Sequence, residues 1–245
     1  MKRIVLGALC ALAVAGCTDP EAERQAQAAV EAQARQQREA KAEEVAARYD
    51  EAVAAQDWDR ARIHGAAIFD QYAGSDVAAR IEPGYAEVKA KAEAARELRR
   101  MQALWHYNQV SVGSKGMQRS AAIYGKQPVD VDGSGARPVQ LVFRDHPEWK
   151  RHAYLVLQAS DFARACYQRC QVTVTVDDAR PRTMAAHRPD TDEATAMFIT
   201  DNRALWKLAR QATTMKIEFP VKVGGTREVL FETGGLDGTQ LPGWD

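Results

Sequence analysis

The sequence predicts an α+β protein: an N-terminal α-helical stalk and hairpin, then a small antiparallel β-sandwich-like domain carrying one helix. Three observations support this. From Asp19 to about Tyr49 the residues are Ala, Gln, Glu and Arg, strong helix formers with little apolar bulk. Between Tyr49 and Met101 larger apolar residues recur at helical spacing. After Trp105 the apolar pattern switches to period two, the spacing of half-buried strands.

The first helix opens on Asp19 as N-cap, with Pro20 at the first helical position and Glu21 and Glu23 where they complement the helix dipole. Helical throughout, residues 19–49 would be ~45 Å long at 1.5 Å per residue. Its apolar positions are Ala22, Ala26, Ala29, Val30 and Val45, too small to bury much area, and Gln33 and Gln37 interrupt any coiled-coil seam. The segment therefore reads as a solvated tether. Next, Val53, Trp58, Ala61, Ile63, Ala66, Ala67, Phe69 and Tyr72 supply a core face, and Gly74-Ser75-Asp76 reads as a helix stop followed by a fresh cap. Glu82-Pro83-Gly84 predicts a break before a further helix bearing Tyr85, Val88, Ala92, Ala95 and Leu98.

Strands are expected at 119–124, 139–144, 152–158, 171–177, 195–200, 214–219 and 227–232. Two alternate cleanly. Val172, Val174 and Val176 oppose Gln171, Thr173 and Thr175, and Met215, Ile217 and Phe219 alternate with Lys216 and Glu218. One face is thus buried and one wet, as in antiparallel sheets, which predicts a sandwich or a curled sheet. Asp201 can cap the single helix of this region, with Leu205, Leu208, Ala209 and Ala212 as its inner stripe.

The chain begins Met1-Lys2-Arg3, then runs apolar from Ile4 to Ala15, the layout of a secretory signal peptide and too short to span a bilayer. Val14-Ala15-Gly16-Cys17 resembles the lipobox of bacterial lipoproteins. That resemblance implies that the Cys17 thiol is lipidated and the chain cut just before it. The expected organisation is then a signal peptide at 1–16, a helical tether at 17–49, a helical hairpin region at 50–107 and a strand-rich domain at 108–245. Thr18, with no Asp directly after Cys17, resembles the pattern of lipoproteins sent to the outer membrane. Asp19 one place later leaves the inner membrane open. A second resemblance lies in Gln56-Asp57-Trp58-Asp59-Arg60-Ala61 and Phe69-Asp70-Gln71-Tyr72-Ala73-Gly74-Ser75-Asp76-Val77-Ala78, which look like one tetratricopeptide-type helical hairpin. No second copy follows at the period of about 34 residues that such arrays need.

Charge bounds the partners. The 245 residues carry 33 basic and 33 acidic side chains, and loss of Lys2 and Arg3 with the signal leaves a slightly acidic chain. Nucleic acid, whose recognition relies on a basic domain, is not an expected partner. Expected instead are a membrane, through the lipid anchor, and a neighbouring envelope protein.

Among residues with chemistry to offer, Cys166 and Cys170 are the pair left once Cys10 goes with the signal and Cys17 takes lipid. In an oxidising compartment a small-loop disulfide is expected, with free thiols or metal and redox chemistry as alternatives. His146, Glu148 and His152 form the densest group of potential ligands. With the cysteines they resemble a zinc deaminase only in outline, because no Pro precedes Cys166 and the cysteine spacing is one too long. A hairpin turn with Trp149 covering the sheet end is the competing reading, beside a bare zinc site on His146 and His152. Asp130-Val131-Asp132-Gly133-Ser134-Gly135 imitates the start of an EF-hand loop, but Leu141 stands where the bidentate Glu belongs. Asp190, Asp192 and Glu193 form another acidic turn. No nucleophile elbow, phosphate loop or dinucleotide fingerprint occurs in the sequence, and no cofactor is implied. With few exposed aromatics evident, a carbohydrate platform is not expected. The function expected is a non-catalytic binding or scaffold module of the envelope, on the periplasmic face. The alternative is an envelope enzyme, or an inhibitor of one, acting on peptidoglycan or a related polymer.

Overall fold

The computed structural model describes residues 19–158, 162, 166, 169–189, 191, 194–221 and 225–244. The chain divides into two compact units, Met1–Ala92 and Glu93–Asp245. The first is helical. It contains α1 (Pro20–Ala54), α2 (Trp58–Gln71) and most of α3 (Asp76–Gln102), whose last residues belong to the second unit.

Each helix starts on the cap its sequence offers. Asp19 Oδ1 accepts from the Glu21 N–H at 3.0 Å, Asp57 Oδ1 from the Arg60 N–H at 3.2 Å, and Ser75 Oγ from the Ala78 N–H at 3.1 Å. Residues 20–37 of α1 are exposed all round. Packing begins at Arg38, whose guanidinium donates to the carbonyls of Gln71 and Ala73 at the end of α2, and at Glu39, which accepts the Asp76 N–H at the start of α3. Farther along, Ala42, Ala46, Tyr49 and Ala52 form the buried stripe of α1. Apart from Tyr49 these are alanines, so the helices approach closely. At Gly65 a Cβ would lie 2.4 Å from the Tyr85 ring and 3.2 Å from that of Tyr49, and the Tyr85 hydroxyl donates to the Arg62 carbonyl at 2.8 Å.

The break expected at Pro83 does not form, and α3 is continuous across it. Proline removes one hydrogen bond of the helix and crowds the preceding turn. Here the flanking turns are held by apolar anchors on both sides, Val77, Ala78 and Ile81 before it and Val88 after it, all buried in one cluster with α1 and α2. Packing overrides the local preference.

The second unit is one nine-stranded antiparallel sheet. Its strands are β1 (Trp105–Ser111), β2 (Met117–Tyr124), β3 (Val139–His146), β4 (Lys150–Leu157), β5 (Cys170–Val176), β6 (Arg182–His187), β7 (Ala196–Ile199), β8 (Met215–Pro220) and β9 (Thr226–Phe231), in the order β1-β2-β3-β4-β7-β6-β5-β8-β9. All seven expected strands form, and β1 and β6 are additional. Both lack a strong apolar alternation: β1 buries only Trp105, and β6 turns just Met184 and Ala186 inward. The Lys126 N–H donates to the Leu230 carbonyl at 2.7 Å, joining the chain just past β2 to β9 and curling the sheet around one core. Against its inner face lies α4 (Asn202–Gln211), capped by Asp201 and buried through Leu205, Trp206, Leu208 and Ala209. Phe143, Trp206 and Trp244 meet at the centre, with centroid separations of 5.1–5.5 Å. At Gly235, φ is +83° and a Cβ would fall 2.8 Å from the Gln102 backbone nitrogen, so the C-terminal segment passes the end of α3 as only glycine allows.

Glu232, just after β9, accepts from Arg100 at 2.7 Å and from Lys126 at 3.3 Å. Arg100 foremost, then Lys126, pulls its carboxyl below the usual carboxylate range. A depressed folded-state pKa contributes stability that is present above the unfolded value, near 4.3, and lost as pH falls through the folded one. Glu232→Gln is therefore expected to lower stability at pH 7 by about 1 kcal/mol. Thermal melts across pH should show that deficit shrinking toward about pH 3. In the helical unit, Pro83→Ala should stabilise by about 1–3 kcal/mol, because alanine restores the missing donor in a helix that already tolerates its loss. Chemical denaturation followed at the helical circular dichroism band measures the gain; a loss would contradict the packing account.

Candidate binding face

Strand alternation builds the candidate site. With Leu141 and Phe143 of β3 turned inward, Val142, Arg144 and His146 point outward; with Ala153 and Leu155 of β4 inward, His152 and Tyr154 point outward. Register then sets them side by side. Arg144 pairs with His152 and Val142 with Tyr154 across β3–β4, Tyr154 with Phe198 across β4–β7, and Phe198 with His187 across β7–β6.

The outward side chains form a connected row. The Phe198 ring lies 5.2 Å from that of Tyr154, 5.5 Å edge-on from His152 and 5.5 Å, stacked, from His187. The Arg144 guanidinium sits 5.2 Å from the Trp149 ring and 5.3 Å from the Tyr154 ring. Trp149 is 59% exposed. Beside the row, an open depression of about 470 Å³ is lined by Asp145, His146, Pro147, Lys150 and Arg151, with Asp145 and Arg151 paired at 3.4 Å.

Of the residues singled out from sequence, His146 proves to be a positioning group. It is buried, its Nδ1 accepts the N–H groups of Glu148 and Trp149 at 3.1 and 3.2 Å, and its ring stacks on Trp149 at 4.0 Å. An accepting Nδ1 places the proton on Nε2, the neutral tautomer. The hairpin closes through Lys150 at φ +65°, the left-handed residue that ends a three-residue loop. Glu148 points elsewhere, paired with Lys115. His152 lies in the row, its pKa lowered first by burial and next by Arg144, with His187 and His146 adding to the effect. Among the described residues no three His, Cys, Asp or Glu side chains gather closely enough to hold a metal ion.

The other expectations divide similarly. Cys166, which is buried, and Cys170 at the start of β5 lie at disulfide distance, with sulfurs 2.06 Å apart. Asp130 Oδ1 accepts from the Asp132 and Gly133 N–H groups and Asp132 Oδ1 from Ser134, so these carboxylates serve their own loop. Cys17 and the rest of Val14-Ala15-Gly16-Cys17 lie outside the described residues, as do Asp190, Asp192 and Glu193. Sequence reasoning missed Arg144, Tyr154, His187 and Phe198. Arg144, Tyr154 and Phe198 lie in expected strands whose outward face the sequence pattern does not assign, and that β7 lies beside β4 is set by the fold.

Removing the acceptor under the turn tests this geometry. His146→Ala should cost about 1–2 kcal/mol and leave Trp149 without its stacking partner, raising its quenching by acrylamide. His146→Asn, which keeps an acceptor, should recover part of the stability but not the stacking.

The chain matches no protein-family model, no curated protein and no solved structure.

Proposed function

We propose that this protein is a non-catalytic binding module of the cell envelope, tied through a lipidated Cys17 to the periplasmic face of the outer membrane and presenting the outer face of β3-β4-β7-β6 to a partner. The observation that carries the reading is that face: a row of aromatic, arginine and histidine side chains from four strands, with α4 packed on the opposite side of the sheet. Soluble proteins rarely leave aromatic rings aligned at a surface without use. The N-terminal segment supports the anchoring. Val14-Ala15-Gly16-Cys17 has the lipobox pattern, and beyond it residues 20–37 form a helical stretch of ~27 Å that is exposed among the described residues, a fitting spacer next to an anchor. Two acyl chains make attachment effectively lasting, since each buried CH₂ contributes about 0.8 kcal/mol.

Two measurements test the proposal. Cys17→Ser should shift the protein from the membrane fraction of a Gram-negative host to the soluble one and abolish labelling by a fatty-acid analogue; unchanged fractionation would remove the anchor. A photo-crosslinking residue placed at Tyr154 should trap an envelope component in living cells, while one at Glu218, on the outer face of β8, should not. Equal yields from both positions would refute the assignment of the face.

A further inference from the structure

We propose that the outer face of β3-β4-β7-β6 takes an acidic polysaccharide, its sugar rings stacking on Trp149, Tyr154 and Phe198 and its carboxylates meeting Arg144, His152 and His187, with a grip that tightens as pH falls. The inference rests on the binding-module reading and supplies its ligand class.

Charge complementarity is the first ground. Across seven neighbouring strands, β1-β2-β3-β4-β7-β6-β5, none of the outward positions is Asp or Glu. They carry instead Arg144, Lys150 and four of the five histidines of the chain: His106, His146, His152 and His187. Outward acids occur at Glu218 and Glu228, on the strands β8 and β9 at the far end of the order. The acids near the β3–β4 turn are already used, Glu148 by Lys115 and Asp145 by Arg151. Among the described residues, outward acids on the sheet are therefore confined to β8 and β9, and the outward face of β3-β4-β7-β6 carries none.

Arg144 is the second ground. Among the described residues it has neither an ion pair nor a hydrogen bond, and its Nε is buried without a partner, while two aromatic rings hold the guanidinium in place. A guanidinium fixed in this way keeps its donor fork free for a carboxylate at little further cost in side-chain entropy.

The shape of the surface selects among anions. Peptides are ordinarily captured at a strand edge or in a groove. This row lies on the face of the sheet and crosses three inter-strand gaps, roughly 14 Å at about 4.8 Å per gap. Trp149 offers an exposed flat ring, with the half-buried rings of Tyr154 and Phe198 continuing the row. The C–H face of a pyranose packs on such a ring while the hydroxyls remain in water, and a polymer of such rings can follow the row.

The pH dependence follows from the groups facing His152: Arg144 and His146 on β3, His187 on β6 and the Phe198 ring on β7. Burial first, and then the Arg144 guanidinium, lower the pKa of His152 and favour its neutral ring. A carboxylate seated among them would favour the imidazolium, so binding takes up a proton and strengthens as pH falls, while sugar carboxylates remain ionised.

The test uses full-length protein purified in detergent, with polygalacturonate as probe and dextran and poly-glutamate as comparisons, at pH 5.5 and 7.5 in constant salt. Polygalacturonate should bind, more tightly at pH 5.5, and dextran and poly-glutamate at least about tenfold more weakly. Trp149→Ala, at an exposed position, and Arg144→Gln should each weaken polygalacturonate about tenfold, His152→Gln should flatten the pH step, and Glu218→Gln should change nothing. Circular dichroism melts confirm that each variant is folded. Poly-glutamate binding as tightly as polygalacturonate, or loss of binding with Glu218→Gln as with Arg144→Gln, overturns the inference. If no polysaccharide binds but crosslinks from Tyr154 still trap a protein, the ligand class falls and the binding-module reading stands. If neither occurs, both fall.

Discussion

Phe143 is the residue on which the binding face depends. Its ring is fully buried against Trp206 and Trp244, with edge-to-face centroid separations of 5.1 and 5.5 Å. Successive side chains of a strand point to opposite faces, so fixing this ring inward fixes Arg144 outward. The antiparallel register carries the same decision to Ala153 and His152 on β4, and on to Ile199 and Phe198 on β7. A one-residue slip would put the cation into the core and the rings into water. Core packing and surface chemistry are one constraint seen from two sides.

The two units are held by different physics. The sheet unit buries large rings and branched side chains around α4, and most of its stabilisation is apolar. The helical unit buries alanines and larger residues, Tyr49, Ile68, Val77, Ile81 and Val88, in equal number. It adds polar clasps: Arg38 and Glu39 on the α2–α3 junction, and Arg80 paired with Asp50 and Glu43. Exposed ion pairs contribute little each, so those clasps set alignment more than stability. Where α1 lacks either anchor, before Arg38, it is exposed all round among the described residues. That exposed stretch is helical by propensity and capping alone.

Legibility in the sequence followed the range of the interaction. Asp19, Ser75 and Asp201 act within a few residues of themselves, and all three cap as their local sequence indicates, as Asp57 does for α2. Seven strands are legible as short apolar runs, two of them with clean alternation, and β1 and β6 are not, because an edge strand and a small-residue strand bury too little to leave a pattern. Pro83 misled because its local cost is outweighed by contacts from distant residues. The face was the least legible. His146 drew notice as a ligand, whereas its nitrogen serves the turn. Phe198 drew none, because its meaning comes from lying beside Tyr154, forty-four positions earlier in the chain.

The distribution of charge gives the face its significance. A chain with balanced charge can still present a strong local field if its ion pairs are unevenly placed. Here the paired acids leave Arg144 aside: Glu232 sits with Arg100 and Lys126, Glu228 with Lys216, Asp145 with Arg151 and Glu148 with Lys115. On the outer face of β3, Arg144 is left to aromatic rings, beside His152, whose pKa burial and Arg144 hold down. Stability alone would favour an acid opposite Arg144, since the register places Ser120 beside it on β2 and His152 on β4, positions an Asp or Glu could occupy. Leaving both without negative charge forgoes a cross-strand pair within the molecule and keeps the guanidinium open to an anion from outside it.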